Sequence, residues 1–327
     1  MNDSWVDTRA LVTGATGMIG SFLVRELLER GALVAAFVKD TELQSDFFRR
    51  GDAGEVAVFN GALEDYTSIE NAINKHEAEV VFHLGAQTIV GAAHRSPLST
   101  FEANVRGTYN LLEACRVHGE FDLRVVIASS DKAYGEQAQL PYNEEMALEG
   151  RHPYEVSKSC ADILAQCYYH TYQLPVGIAR CGNVYGGNDL NFSRIVPGTV
   201  RSLLLDKPPV IRSDGTFTRD YVYVKDVALA YIRLSECLAD EKVRGEAFNF
   251  STGSPVTVLE IVRLIQKLMG REDLEPVILG SARGEIKDQH LLARKARGML
   301  GWEPAYDLEE GLLETIDWYK AFFKSHE

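Results

Sequence analysis

Three glycines, each separated by two residues in Gly14-Ala-Thr-Gly17-Met-Ile-Gly20, leave this chain few ways to fold. The run before them, Arg9-Ala-Leu-Val-Thr13, is short and apolar, as a buried strand is. The run after them places Ile19, Phe22, Leu23, Leu27 and Leu28 at helical spacing over residues 18–30, and Gly31 ends it. A strand, a tight glycine turn and a helix in direct succession form a pyrophosphate cradle. The first two glycines let the backbone approach the anion and the third lets helix and strand pack closely. The helix N-terminus then adds amide donors and a positive dipole end. Gly14, Thr16, Gly17, Met18 and Ile19 are therefore candidate contacts to a dinucleotide.

The rest of the first half repeats the pattern. Ala32 to Val38, Glu79 to Leu84 and Leu123 to Ala128 read as buried strands, with helices between them, notably over 99–117 and 153–172. That alternation predicts an α/β fold of Rossmann type, a doubly wound parallel sheet with helices on both faces. After about residue 180, glycine, proline and asparagine cluster at 182–198 and 208–215. Two units follow: 1–180 as the dinucleotide-binding domain, with a later strand returning near 220–226, and 181–327 as a smaller α/β substrate-binding domain. In the second unit Tyr221-Val-Tyr-Val-Lys225 reads as a strand, and 257–269 and 308–324 as amphipathic helices.

Charge and cysteine usage narrow the function. With 34 basic and 47 acidic residues the net charge is −13, which argues against nucleic acid or an acidic membrane as partner, though not against a small phosphorylated ligand. Five cysteines, at 115, 160, 167, 181 and 237, form no Cys-x-x-Cys pair and predict a reducing, cytoplasmic home. The N-terminus reads as having no signal peptide, and no apolar run reaches bilayer length. The eight histidines show no metal-ligand spacing, so no metal is expected, and there is no Gly-x-Ser-x-Gly elbow for a serine hydrolase.

The end of the second strand should meet the adenosine ribose. Val38-Lys39-Asp40 offers both an acid, which favours NAD, and a base, which favours NADP. NAD is the reading adopted, with NADP as the alternative. In Asn60-Gly-Ala62-Leu63, Ala62 stands where an adenine-contacting acid is often found, so contact there is apolar or through the backbone.

The chemistry lies further on. Tyr154-Glu-Val-Ser-Lys158 sets Tyr154 and Lys158 four apart, on one face of a helix. A phenol titrates near 10 in water, about three units too high for a base at neutral pH, unless neighbouring cations favour the phenolate. Tyr221-x-x-x-Lys225 has the same spacing, but within a strand its ends lie roughly 13 Å apart. Ala128-Ser129-Ser130-Asp131-Lys132 follows a buried strand, at the sheet edge where ligands bind in such folds. Ser130 can hydrogen-bond the hydroxyl that Tyr154 deprotonates. A regulatory protein that keeps the glycine turn but loses the chemistry is the non-enzymatic rival, and the presence of Ser130, Tyr154 and Lys158 argues against it.

Taken together, several segments resemble the extended short-chain dehydrogenase/reductase superfamily, and within it the nucleotide-sugar epimerases and dehydratases. They are the glycine turn, His83-Leu-Gly-Ala-Gln87, Asn104-Val-Arg-Gly-Thr108, the Ser-Ser-Asp-Lys segment, Tyr154/Lys158, Arg219-Asp-Tyr-Val-Tyr-Val-Lys-Asp226 and Leu300-Gly-Trp-Glu-Pro304. The resemblance implies further cofactor contacts at Leu84, Ala86, Gln87, Asn104, Ser129 and Cys181. It also implies substrate contacts at Thr88, Asn183, Arg194, Ile195, Val196, Arg212, Arg219 and Arg283, with Arg219 and Arg283 clamping a diphosphate. Enzymes of this kind pair two helices per subunit into a dimer, and 99–117 and 153–172 carry apolar Leu111, Leu112, Ile163, Leu164, Tyr168 and Tyr169 for that purpose.

Asp131-Lys132 is similar to the pair in CDP-glucose 4,6-dehydratases and some UDP-N-acetylglucosamine 4,6-dehydratases. It implies a 4,6-dehydratase acting on a nucleotide-diphosphate sugar, in which an acid protonates the departing 6-hydroxyl and a base takes the C5 proton. The alternative is a 4-epimerase, in which Asp131 and Lys132 only shape the cleft or neutralise one another.

Overall fold

The computed structural model describes residues 5–118, 123–281 and 285–325. Six strands of the first half are β1 (Arg9–Thr13), β2 (Leu33–Val38), β3 (Ala57–Asn60), β4 (Val80–His83), β5 (Arg124–Ala128) and β6 (Val176–Cys181). Eight shorter strands follow: β7 (Asn183–Tyr185), β8 (Val210–Ile211), β9 (Thr218–Arg219), β10 (Tyr221–Tyr223), β11 (Ala247–Phe250), β12 (Val256–Thr257), β13 (Val277–Ile278) and β14 (Asp288–Gln289). The main helices are α1 (Met18–Glu29), α2 (Tyr66–His76), α3 (Gly107–His118), α4 (Pro153–Tyr172), α5 (Ile195–Leu204), α6 (Val224–Cys237), α7 (Val258–Met269) and α8 (Leu308–Lys324).

Seven strands form one parallel sheet in the order β11-β6-β5-β4-β1-β2-β3. Successive side chains of a strand point to opposite faces, and here both faces are apolar. Ala10 and Val12 of β1 pack with Leu23, Leu27 and Tyr231 under α1 and α6, while Leu11 packs with Ile73, Leu111 and Leu112 under α2 and α3. The strand order reverses between β1 and β4. A crevice therefore opens at their carboxyl ends, the place where sheets of this kind hold ligands. A third apolar cluster joins α5, α7 and α8 around Tyr185, Tyr221 and Tyr223. Among the described residues, no helix is long and apolar enough to cross a membrane.

The expected strands, the helix at 153–172 and both late amphipathic helices are present. Three details differ. The stretch read as a strand through Lys225 is a strand only to Tyr223, and α6 starts at Val224. Val224, Val227, Ala228 and Tyr231 recur every three or four residues, and Asp226 places an acid in the first turn, so the helical pattern takes over. Lys225 pairs with Glu314 at 2.6 Å and has no part in a second tyrosine–lysine pair. The strand at 221–223 pairs with β7 outside the large sheet, and the late strand that does join that sheet is Ala247–Phe250. Its Asn249 disguised it, because asparagine disfavours strands. The buried amide accepts from Tyr134 at 2.8 Å and donates to the Tyr142 carbonyl at 3.1 Å.

The third difference concerns the helix expected at 99–117. It is a turn at Pro97–Phe101, a wide π segment at Glu102–Arg106, then α3. Leu111 and Leu112 are fully buried against the sheet, and Leu164, Tyr168 and Tyr169 are partly packed there. The apolar side chains left facing outward on these two helices are Leu98, Tyr109 and Val117 on one and Ile163 and Tyr172 on the other.

Candidate active site

The glycine turn is built as the spacing requires. Gly14 has φ +70°, and a side chain there would press on the backbone of Gly85. A Cβ on Gly20 would collide with the Gly14 carbonyl, so α1 can lie against the turn only with glycine at that place. Gly17 caps α1 without a side chain, so no side-chain acceptor blocks the first amides at Met18 and Ile19. Such a cradle fits a pyrophosphate. At the tip of β2, Lys39 is exposed and pairs with Glu64 at 3.0 Å, beside exposed Asp40. Ala62 is half-buried, while Leu63 is buried in the core under α2 and α3.

The turn is tied to the neighbouring loop by a buried relay. Thr13 Oγ1 accepts from the amides of Leu84 (3.1 Å) and Gly85 (3.0 Å), so its own hydrogen goes to His83 Nδ1 at 2.9 Å. His83 must then carry its proton on Nε2, which donates to Thr108 Oγ1 at 3.1 Å, and Thr108 donates to the Asn104 carbonyl at 2.6 Å. Full burial, reinforced by the Lys158 charge, holds the imidazole neutral, its pKa down to about 3. Asn104 sits in the π segment, a form of helix that frequently marks functional positions. Its amide accepts from Gln87 N at 2.7 Å and donates to the Gln87 carbonyl and to Ser157 Oγ at 3.0 and 2.9 Å. Asn104 therefore braces the 84–88 loop against α4, with Leu84, Ala86 and Gln87 half-buried and Thr88 exposed along it.

Ser129 and Ser130 turn opposite ways after β5. Ser129 donates into the interior, to Asp162 at 3.0 Å, rather than toward the crevice. Asp162 also holds Arg180 in a two-pronged pair at 2.8 Å on each prong, with both groups buried. Ser130 donates to Asp131 Oδ1 at 2.9 Å and accepts from Lys132 N at 3.2 Å. It lies close enough to Tyr154 to lower the pKa of that phenol.

The expected Lys158–Tyr154 coupling is different. Lys158 donates to the Ala128 carbonyl at 2.6 Å, and burial brings its pKa down to about 8. The cation that favours the Tyr154 phenolate is Arg194, helped by nearby Ser130. Burial outweighs both and leaves the phenol at about 12. Cys181, expected at the cofactor, is buried against Tyr231 with its thiol likewise raised to about 12 by burial.

Asp131 is buried and Lys132 beside it half-buried, and the two attract one another without a direct ion pair. Burial raises the Asp131 pKa and lowers that of Lys132, which moves both toward their neutral forms. Lys132 Nζ instead donates to Gln289 Oε1 at 2.5 Å, across from β14. Arg219 lies nearby on β9, 6% exposed, anchored by Nη1 to the carbonyls of Thr218 and Lys287 at 2.9 and 2.7 Å.

Of the other expected substrate contacts, Asn183 and Ile195 are half-buried and Arg194 pairs with Asp189 at 3.1 Å. Val196 is a core residue of the third cluster, so its side chain is closed to a ligand. Arg212 is exposed and donates to the Ser193 carbonyl at 2.9 Å. Arg283 lies outside the described residues. Sequence reasoning missed Gln289 and Asn188, whose amide bridges Ser21 Oγ at 2.8 Å and Asp46 N at 2.9 Å beside the glycine turn. Gln289 stands in no motif, and each amide acquires its partner only through folding. Among the described residues no three His, Cys, Asp or Glu side chains gather as a metal site.

The model of the GDP-mannose 4,6 dehydratase family matches residues 11–315. CDP-glucose 4,6-dehydratase of Salmonella typhimurium is 31% identical, over 99% of this chain and 93% of that protein. UDP-glucose 4-epimerase of Thermotoga maritima superposes with a TM-score of 0.88 at 30% identity, covering 97% of this chain and 99% of its own. dTDP-glucose 4,6-dehydratase of Streptomyces venezuelae, solved with NAD bound, superposes with a TM-score of 0.86 at 26% identity, covering 96% and 97%. Glycine cradle, strand order and sequence likeness agree, and the chain belongs to the GDP-mannose 4,6 dehydratase family of extended short-chain dehydrogenases/reductases.

Proposed function

We propose that this chain is an NAD-dependent 4,6-dehydratase of a nucleotide-diphosphate sugar, working through a 4-keto intermediate. The observation that carries the reading is the buried Asp131 and half-buried Lys132 set next to Ser130 and Tyr154. An acid whose pKa is raised and an amine whose pKa is lowered suit the two proton transfers an elimination needs. Tyr154 takes the proton of the sugar 4-hydroxyl, and Ser130 holds that oxygen in place. Asp131 then protonates the departing 6-hydroxyl, which leaves as water, while Lys132 takes the C5 proton and later returns it. Bound NAD supplies the hydride acceptor at C4 and the hydride donor at C6. The cradle at Gly14, Gly17 and Gly20 holds its pyrophosphate, and Lys158 its ribose. Lys39, engaged by Glu64, is poorly placed to receive a 2′-phosphate, which supports NAD over NADP. Arg194 and Arg219 bring positive charge for the diphosphate.

The exposed Leu98, Tyr109, Val117, Ile163 and Tyr172 support a dimer through the helices that carry them, in place of the buried Leu111 and Leu112. Five free thiols suit a reducing cytoplasm. The likeness to the Thermotoga epimerase favours the second reading, 4-epimerisation.

Incubating the protein with CDP-, GDP-, UDP- and dTDP-hexoses and weighing the products separates the two. Loss of water from one substrate, abolished in Tyr154→Phe, is the expected result. A product of unchanged mass with inverted C4 would sink the dehydratase reading.

A further inference from the structure

The side chain that receives Lys132 is neutral, and it comes from the far side of the cleft. Gln289 lies 157 residues along the chain, on β14, in register with Arg219 of β9. It is wholly buried. The ammonium or amine of Lys132 is the donor, so the amide must present Oε1 to it, and Nε2 faces the other way. That Nε2 is buried and has no partner among the described residues. A buried amide with an unclaimed donor serves packing badly, because leucine would fill the same place without the desolvation cost.

The charges around Lys132 explain why the acceptor matters. Asp131 beside it, Glu155 on α4 and Glu285 before β14 favour its protonated form, whereas Arg219 on β9 opposes it. Arg219 is itself 3.8 Å from Glu285, which offsets part of its effect. A further carboxylate in contact with the amine would add a full opposite charge at hydrogen-bond distance and keep the proton on nitrogen.

We propose that Gln289 is a positioning residue for the elimination: its carboxamide fixes the Lys132 amine from the substrate-binding side of the cleft while withholding the negative charge that would keep that amine protonated. This rests on the reading of Lys132 as the base at C5. It also makes the site depend on closure between two parts of the chain, since the base belongs to the β5 edge and its support to β14.

The test compares Gln289→Glu, Gln289→Asn and Lys132→Ala with the full-length enzyme, loaded with its cofactor, on whichever nucleotide hexose loses water. Rates are followed from pH 6 to pH 10 (approximate limits chosen to bracket the amine), together with reduced-nicotinamide absorbance in a single turnover. Gln289→Glu should still reduce the cofactor. Its acidic limb of kcat should move up by about one pH unit or more, with activity regained at high pH. Gln289→Asn keeps the charge neutral but draws the acceptor back, so kcat should fall on the order of tenfold with the limb unmoved and KM little changed. An unmoved limb in a folded Gln289→Glu overturns the proposal. If that variant does not fold, wild-type kcat in Gln289→Asn overturns it instead. Undiminished water loss in Lys132→Ala brings down the base assignment itself, and the proposal with it. Loss of elimination in Lys132→Ala with wild-type behaviour in both Gln289 variants removes Gln289 alone.

Discussion

Replacing Asp162 by asparagine changes little in shape and should cost more than any surface substitution. The carboxylate is fully buried and accepts four hydrogen bonds, from Arg180 Nε and Nη2 at 2.8 Å, Gln166 Nε2 at 2.8 Å and Ser129 Oγ at 3.0 Å. Asparagine has one acceptor oxygen, and its NH2 would meet a guanidinium N–H with no lone pair to offer. Arg180, 2% exposed, would keep its charge with only the Tyr134 hydroxyl and ring as compensation. Breaking one side of a buried pair costs about 3–5 kcal/mol. For a chain of 327 residues, unfolding entropy converts this to a melting-temperature drop of roughly 4–7 °C. Urea and thermal unfolding of Asp162→Asn, Arg180→Met and the double variant Asp162→Asn/Arg180→Met give the cycle. The double variant should be less destabilised than the sum of the singles by about 2 kcal/mol or more, because it strands no charge. A loss below about 1 kcal/mol in Asp162→Asn, or simple additivity, would refute the account of how the Ser129–Ser130 bend is held.

Other expectations follow from the same geometry. His83 titrates near 3 when folded against 6.5 for the free side chain, so the unfolded chain takes up the proton first. This group costs nothing above about pH 6.5, and below that it should erode stability by about 1.4 kcal/mol per pH unit toward pH 3; chemical denaturation of wild type and His83→Asn from pH 7 to 5 should show the steeper loss in wild type, and equal slopes would contradict it. Gly20→Ala should lose at least about tenfold in retained dinucleotide, read by mass after denaturation, because its Cβ meets the Gly14 carbonyl. Wild-type cofactor content in that variant would count against the cradle. If the dimer forms as proposed, wild type should sediment as a dimer and Ile163→Arg, altering a side chain 56% exposed on α4, as a monomer; a wild-type monomer would refute it.

The parallel sheet was legible because its strands are continuous apolar runs and its glycine turn has one plausible use. That Ser130 and Tyr154 come near one another was legible because helical spacing and a strand end bring the two to one edge. Charge placement was not. That Lys158 reaches a backbone carbonyl, leaving Arg194 as the cation favouring the phenolate, depends on side-chain directions that spacing does not encode. Val196 sits next to half-buried Ile195 and faces the core for the same reason: a helix turns 100° per residue. Gln289 stayed hidden because its partner is 157 residues away, and a lone glutamine in a chain carries no signal of its own.

The position of β11 has a consequence for how the protein is made. Strand β6 leaves the ribosome at residue 181, but the strand that covers its outer edge begins at residue 247. At synthesis rates of roughly 5–20 residues per second, the six-residue, fully buried β6 waits several seconds with a row of unpaired backbone groups facing the cell. α6, which covers one face of β6, is also still to come. The nascent chain is most vulnerable to sticking to its neighbours during this interval. A gene fragment that stops near residue 180 would make the interval permanent, and its product should collect in the insoluble fraction unless residues through Phe250 are supplied.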